Sequence, residues 1–246
     1  IWEELLNFTG GQLELSKCEY FLINWGFDNK DKPFIEDKKY SISFFNPGGS
    51  PIESKQLPLA EQMTYLGVTS QVNGKQDAIT TKLCKIADQI TRKMASIHLP
   101  HYYSHIYFKC KINPKLTYPL AATSMTEQQT DRLHRKIYPE VISSKGFNRN
   151  WPTRLRYGCH KYSGLGLINY KVEQSVKKLQ MLHKLLNHPK HTVLIQGMIS
   201  WYQISLGIST QALANPPKGC NYVSSIWFQD LVEFMSKHKI KVVTEK

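Results

Sequence analysis

Ile79, Leu83, Ile86, Ile90, Met94 and Ile97 recur at intervals of three and four residues. That spacing places all six on one stripe of an α-helix, because side chains three and four apart share a face. A helix of this length with a single apolar stripe must lay it on a hydrophobic core. Lys82, Lys85, Arg92 and Lys93 fall off the stripe, so the same helix is expected to present a row of cations to solvent. The segment from Asp77 onward therefore reads as the long helix of a helical module with a basic exterior.

The following stretches extend that module. Tyr102–Ile112 reads as a second helix, ended by Asn113-Pro114. Thr126 with Gln129 has the spacing of a capping box, and Leu133, Ile137 and Val141 follow at fours. Arg132, Arg135 and Lys136 lie outside that stripe. Trp151–Tyr157 reads as a short basic helix or turn carrying Arg154 and Arg156, and Ser163–Leu167 as a glycine loop. Val172, Val176, Leu179, Leu182 and Leu186 mark a further helix that stops before Pro189. Val193–Leu206 and Ser224–Lys237 read as two more, separated by a linker at 215–219.

The front of the chain has a different grammar. Ile1–Phe8 reads as a helix already in progress, so the chain is expected to be a piece of a longer protein. Gly10-Gly11 is a turn, and Cys18–Trp25 and Tyr40–Phe45 are aromatic and β-branched runs of strand character. Asp28–Lys39 reads as a polar loop and Asn46–Gly49 as a turn; Pro51–Lys55 reads as a returning strand, and Met63–Thr69 as a further one. The expected fold class is α+β: a small antiparallel sheet followed by a mostly helical part. Residues 1–70 form the first region, 71–190 the basic helical one, and 191–246 a helical extension with no assigned role.

Charge follows the same division. Residues 1–70 hold six lysines and no arginine against ten Asp and Glu, whereas residues 71–246 hold 26 Lys and Arg against nine Asp and Glu. An excess this large on one part of a chain points to a polyanionic partner. Several cations sit beside aromatic residues: Lys109 near Tyr107 and Phe108, Arg154 and Arg156 near Tyr157, Lys161 beside Tyr162. Cations neutralise phosphates, and rings stack on bases. The five cysteines are scattered with no CxxC, which suits reduced thiols in an intracellular compartment. No apolar run reaches the roughly 18–20 residues that span a bilayer.

Other chemistries find little support. His98, His101 and His105 lack the intervening glutamate of an HExxH zinc site. Asp28, Asp31, Glu36 and Asp37 are interleaved with lysines and read as a solvated loop. Cys159 and His160 are adjacent, which directs their side chains apart. The SGLGL loop has no phosphate-binding lysine. No metal site is expected in the chain.

The order of these elements resembles the reverse transcriptases of non-long-terminal-repeat (LINE-like) retrotransposons, read from just after their catalytic aspartates. The resemblance rests on Leu13-Glu14-Leu15-Ser16-Lys17-Cys18 as an "L-x-x-x-K-C" strand after the glycine turn, and on Tyr65-Leu66-Gly67-Val68 as the primer-grip hairpin. It also rests on Pro114-Lys115-Leu116-Thr117-Tyr118 as a "P-x-L-x-Y" turn and Gly164-Leu165-Gly166-Leu167 as a "G-L-G-L" loop. It covers residues 1 to about 190.

The resemblance implies the end of a polymerase palm followed by a thumb. It implies that Lys17 supports the leaving pyrophosphate, that Tyr65, Leu66 and Gly67 form the primer grip, and that the cations of the thumb follow the phosphates of an RNA–DNA duplex. Lys82, Lys85, Arg92, Lys93, Arg132, Arg135, Arg154 and Arg156 are the candidates for that contact. The aspartates of the family match nothing here, so the chain alone is expected to be inactive. Two magnesium ions and the upstream polymerase segment belong to the full-length parent, whose partners are an RNA template and the RNA–DNA duplex, in the nucleus or cytoplasm. The alternative is a maturase-like or domesticated nucleic-acid-binding module without polymerase activity.

Overall fold

The structure is a computed structural model. It describes residue 8, residues 19–36, 38–45, 51–65, 67–71, 76–97, 99–217 and 226–242. The helix expected at the start, the glycine pair, the strand from Leu13 to Cys18 and the turn at Asn46–Gly49 lie outside the described residues. The fold is α+β, and the chain divides into two compact units. Described residues up to 63, with 70 and 71, form one; residues 64–69 and those from 76 onward form the other.

The first unit is built from short strands: β1 (Glu19–Tyr20), β2 (Asn24–Phe27), β3 (Pro33–Glu36), β4 (Ile42–Phe45) and β5 (Pro51–Gln56). The expectation of one antiparallel sheet needs correction. β5 pairs antiparallel with β4 on one edge and parallel with β1 on the other, while β2 and β3 form a separate hairpin. A parallel pair needs a long connection between its strands, and here the β2–β3 hairpin and β4 fill it. The expected strand at Cys18–Trp25 is interrupted at Phe21–Ile23, and its second half turns into the hairpin.

The polar loop expected at Asp28–Lys39 hides β3. Asp28 Oδ1 accepts the main-chain N–H groups of Lys30 and Lys32, each at 2.8 Å, and so closes a tight turn. Pro33 then opens β3 opposite Phe27. Proline is tolerated at a strand's first residue and on an edge, where no ladder donor is needed.

The strand expected at Met63–Thr69 is instead a hairpin, β6 (Gln62–Tyr65) and β7 (Val68–Gln71). Gly67 turns it with φ of +83°, a conformation open to glycine and costly for most other residues.

The second unit is helical. Its elements are α1 (Asp77–Ile97), α2 (His101–Tyr107), a π-turn at Phe108–Ile112, α3 (Asn113–Thr117) and a 3-10 turn at Tyr118–Ala122. These are followed by α4 (Glu127–Ser144), α5 (Thr153–Tyr157), a 3-10 turn at His160–Tyr162, α6 (Tyr170–Leu186), α7 (Thr192–Leu206) and α8 (Ile226–His238). Asn113-Pro114 does not stop the second helix, although the sequence predicts a stop there. Pro114 follows the π-turn, in which Asn113 N–H donates to the Phe108 carbonyl five residues back, and the helical path runs on through it. Ile112 and Leu116 hold the continuous path by burying fully.

α1 and α4 form the centre of the first core. Ile79, Leu83, Ile90 and Met94 bury against Leu133, Ile137 and Val141, as their spacing predicts. Thr126 and Gln129 make the reciprocal capping box. Gln129 Nε2 also donates to Asp77 Oδ1 at 3.0 Å, and Lys136 Nζ to Asp88 at 2.7 Å. Since both contacts climb the two helices in the same order, α1 and α4 run in the same direction.

A second core forms from the C-terminal half of α6 with α7, Ala212, Leu213 and α8. α6 belongs to both cores, Tyr170 to the first and Leu182 to the second. The described residues on both sides of position 190 fall in one compact unit. Among the described residues no helix is long and apolar enough to cross a membrane.

Candidate nucleic-acid interface

At about 100° per residue, Lys82, Lys85, Arg92 and Lys93 share one stripe of α1, turned away from Ile79, Leu83, Ile90 and Met94. Lys85, Arg92 and Lys93 are exposed. Lys82 has a different task. Its ammonium donates to the Gly67 carbonyl at 3.1 Å and to Thr69 Oγ1 at 2.9 Å, and Thr69 Oγ1 lies 3.0 Å from Thr64 Oγ1. The tip of the β6–β7 hairpin is thus fastened to α1 by a cation that the sequence offered to phosphates.

α4 carries further cations. Arg132 and Arg135 are exposed and, with Gln128, Asp131 and Lys136, line an open hollow. Lys136 bridges to Asp88 of α1. Burial pushes the Cys84 thiol up, and the charges of Arg132 and Lys136 act against that shift. The Lys136–Asp88 bridge is an ionic link across the α1–α4 seam; Lys93, roughly 180° around α1 from Cys84 at about 100° per residue, lies away from it, in a hollow beside Tyr118.

α5 contributes less than expected. Arg154 is exposed, but Arg156 is half-buried and its Nε donates to the Trp151 carbonyl at 2.6 Å. The glycine loop lies along this helix, with Leu165 N–H donating to the Leu155 carbonyl and Leu167 N–H to the Arg156 carbonyl, both at 2.9 Å. Leu165 and Leu167 enter the first core. The GLGL pattern therefore pins α5. Among the tyrosines flanked by cations, Tyr107 and Tyr157 pack on the core, whereas Tyr162 is exposed with Lys161 5.8 Å from its ring centroid.

Sequence reasoning missed a second cationic region around Tyr118. This ring is 60% exposed and lines two hollows. One lies beside α1 with Lys93 and Lys115; the other holds His105, Lys109, His160 and Lys177. The position a Cβ of Gly67 would take is 3.7 Å from Tyr118 Cε1, so the hairpin tip borders the same ring. The basic members of the second hollow come from four separate elements, and no spacing in the sequence unites them.

A buried ionic cluster was also missed. Lys178 is fully buried and donates to Asp230 Oδ2 at 2.6 Å and Ser124 Oγ at 2.7 Å. Lys171 reaches Asp230 Oδ1 at 2.5 Å and the Met125 carbonyl at 2.9 Å. Burial pushes Lys178 down to about 8 against the pull of Asp230. Burial alone would raise the Asp230 carboxyl, but Lys178 and Lys171 outweigh it and hold that group below its ordinary value. The cluster ties α8 to α6 and to the turn before α4. Lys178 is internal, whereas Lys171 and Asp230 are half-buried and line a hollow with Thr126, Glu233 and His238.

Lys17 and Leu66 lie outside the described residues, as does the side chain of Tyr65. Of the candidate cations, Lys85, Arg92 and Lys93 are exposed on α1, Arg132 and Arg135 line a hollow on α4, Lys82 and Arg156 are engaged in main-chain contacts, and Arg154 stands on α5. Among the described residues no three His, Cys, Asp or Glu side chains converge on a common point. Compared with family models, curated proteins and solved structures, the chain matches none.

Proposed function

We propose that this chain supplies the end of the palm and the thumb of an RNA-directed DNA polymerase of the non-long-terminal-repeat retrotransposon kind. In this reading it grips an RNA–DNA duplex and leaves nucleotide addition, with its two magnesium ions, to the upstream segment of the same polypeptide. The compartment is that of its RNA template, the nucleus or the cytoplasm. The observation that carries the reading is the set of exposed cations on α1 and α4, with Lys82 of the same α1 stripe fastening the Gly67 turn.

The physics of such a set is simple. Cations on parallel helices match the repeating single charges of a backbone and read its shape without touching base edges. Each phosphate neutralised releases counterions, so binding weakens with salt at a log–log slope of about −0.9 per phosphate contacted on B-form DNA.

The test is a salt titration of binding to an RNA–DNA hybrid. Replacing Lys85, Arg92 and Lys93 together by Ala should flatten the slope by nearly 3 and weaken binding to all sequences alike. A slope that the triple substitution leaves unchanged moves the duplex off these cations. Strong preference for one RNA sequence favours the maturase-like module over the polymerase thumb.

A further inference from the structure

The hollow beside Tyr118 differs in kind from the cation stripes of α1 and α4. Its two lysines and two imidazoles do not run in a row. Lys109 comes from the π-turn, His105 from α2, His160 from the 3-10 turn and Lys177 from α6, and they line one concavity. The two imidazoles meet edge to face with centroids 5.7 Å apart. Gly166, φ +58°, makes this possible, since a Cβ there would lie 2.7 Å from His160 Nε2. The glycine loop thus gives His160 its place against His105. No Asp or Glu lines the hollow; the near carboxylate is Glu173, 3.8 Å from Lys177. His105 is held below its ordinary value first by burial and then by Lys145, His160 and Lys109, which reports an excess of positive charge.

Dispersed cations suit a polymer of single charges. Converging cations suit one group with two. A terminal phosphate carries close to two negative charges at neutral pH and three acceptor oxygens. The Tyr118 ring, 60% exposed, stands in the lining of the same hollow, and aromatic rings stack on bases.

We propose that this hollow is an end-binding notch, which takes the unpaired 5′-terminal nucleotide of a nucleic-acid strand. The terminal phosphate sits among Lys109, Lys177, His105 and His160, and the base lies against Tyr118. The inference rests on the nucleic-acid reading above and assigns a second, separable contact to it.

The experiment compares a short single-stranded RNA carrying a 5′-phosphate with the same RNA carrying a 5′-hydroxyl, titrated against the full chain. The phosphorylated strand should bind about tenfold more tightly, the factor expected from added charge-assisted hydrogen bonds. Lys109→Ala with Lys177→Ala should remove that preference and leave the salt slope for the hybrid duplex in place. Lys109→Glu, at an exposed position, should do the same without disturbing the fold. Equal affinities in the unaltered protein, or a preference that survives these variants, overturn the notch while the duplex reading stands. A preference that the variants remove, in a protein that binds no duplex, keeps the notch and overturns the duplex reading. Displacement of the phosphorylated strand by an equal concentration of adenosine monophosphate overturns the strand-end assignment in favour of a free nucleotide.

Discussion

Lys82 Nζ stands 3.1 Å from the carbonyl oxygen of Gly67, across fifteen positions of sequence. A lysine on the outer stripe of α1 thereby sets where the β6–β7 turn lies on the helical unit. The two residues need each other for different reasons. Gly67 supplies a backbone at φ +83°, and Lys82 supplies a charge to its carbonyl.

Lys82→Met should therefore lower the stability of the chain by about 1.5–3 kcal/mol, the range for a hydrogen bond to a charged group. Arg92→Met, on the same stripe but exposed, should stay within about 0.5 kcal/mol of the unaltered protein. Urea unfolding of the two variants side by side is the measurement. Equal stabilities would return Lys82 to the set of free phosphate-binding cations.

The six-residue apolar pattern of α1 makes a finer prediction than its average suggests. Ile90 is buried, yet Ile97, the last member of the same stripe, is 54% exposed. Ile97→Asp should fold and bind as the unaltered chain does. Ile90→Asp should abolish cooperative unfolding, because it buries a carboxylate with no partner. Circular dichroism during thermal denaturation distinguishes them. Stable folding of Ile90→Asp would mean that α1 does not lie on the core through this face.

Asp230 is the shared partner of two lysines, one of them fully buried. Asp230→Asn should cost about 3–5 kcal/mol, since it leaves buried positive charge unopposed. Lys178→Met should be close to neutral or stabilising at pH 7, because burial of the ammonium already offsets much of the bridge. Its folded pKa, about 8, lies below its ordinary 10.5. Between those values the unfolded chain keeps a proton that the folded one has released, so stability should rise with pH across that window. The rise should vanish in Lys178→Met. Denaturant midpoints from pH 7.5 to about 10 in both proteins decide the point, and a rise that persists in the variant assigns the titration elsewhere.

The same residues explain what was legible in the sequence. α1 and α4 could be read because their buried faces are apolar at helical spacing and Thr126 caps Gln129 within one turn. α6 could be read as a helix, but its buried face could not. Val172, expected inside, is exposed, whereas Gln174, Ser175 and Lys178 are fully buried. Polar residues bury when they are paired, and the partner of Lys178 lies in another helix 52 positions away. No local pattern carries that information. The front sheets were partly legible for a related reason: alternation marks a strand, but the parallel return of β5 onto β1 depends on a partner more than thirty positions distant. The exposed cations of α1 and α4 were visible as charge off an apolar stripe. The hollow at Tyr118 was not, since its cations come from four elements and meet only when the chain folds.

Titration of His134 should weaken the fold in mild acid. Its ring packs against Tyr138 and Tyr170, with centroids at 5.1 and 5.2 Å and the two tyrosine rings 5.8 Å from each other, and its Nε2 accepts the main-chain N–H of Tyr170 at 3.1 Å. An imidazole accepting at Nε2 is neutral and carries its proton on Nδ1, which lies 3.5 Å from Asp131 Oδ1. Burial holds its pKa below the ordinary 6.5, and the hydrogen bond and charge of Asp131 offset that only in part. A group of this kind leaves stability untouched above about pH 6.5. Below it, the unfolded chain binds a proton that the folded chain refuses, so stability falls with pH until the folded pKa is reached, by at most about 1.4 kcal/mol per pH unit. His134→Phe keeps the ring in the stack and removes the titration, at the cost of the acceptor for Tyr170. The variant should be less stable than the unaltered chain at pH 7.5 and should lose less on going to about pH 5. His105 is shifted in the same direction and titrates in both proteins, so it cancels from the difference. Guanidinium unfolding at the two pH values measures that difference directly, and equal losses in the two proteins would show that His134 is not the acid-sensitive contact.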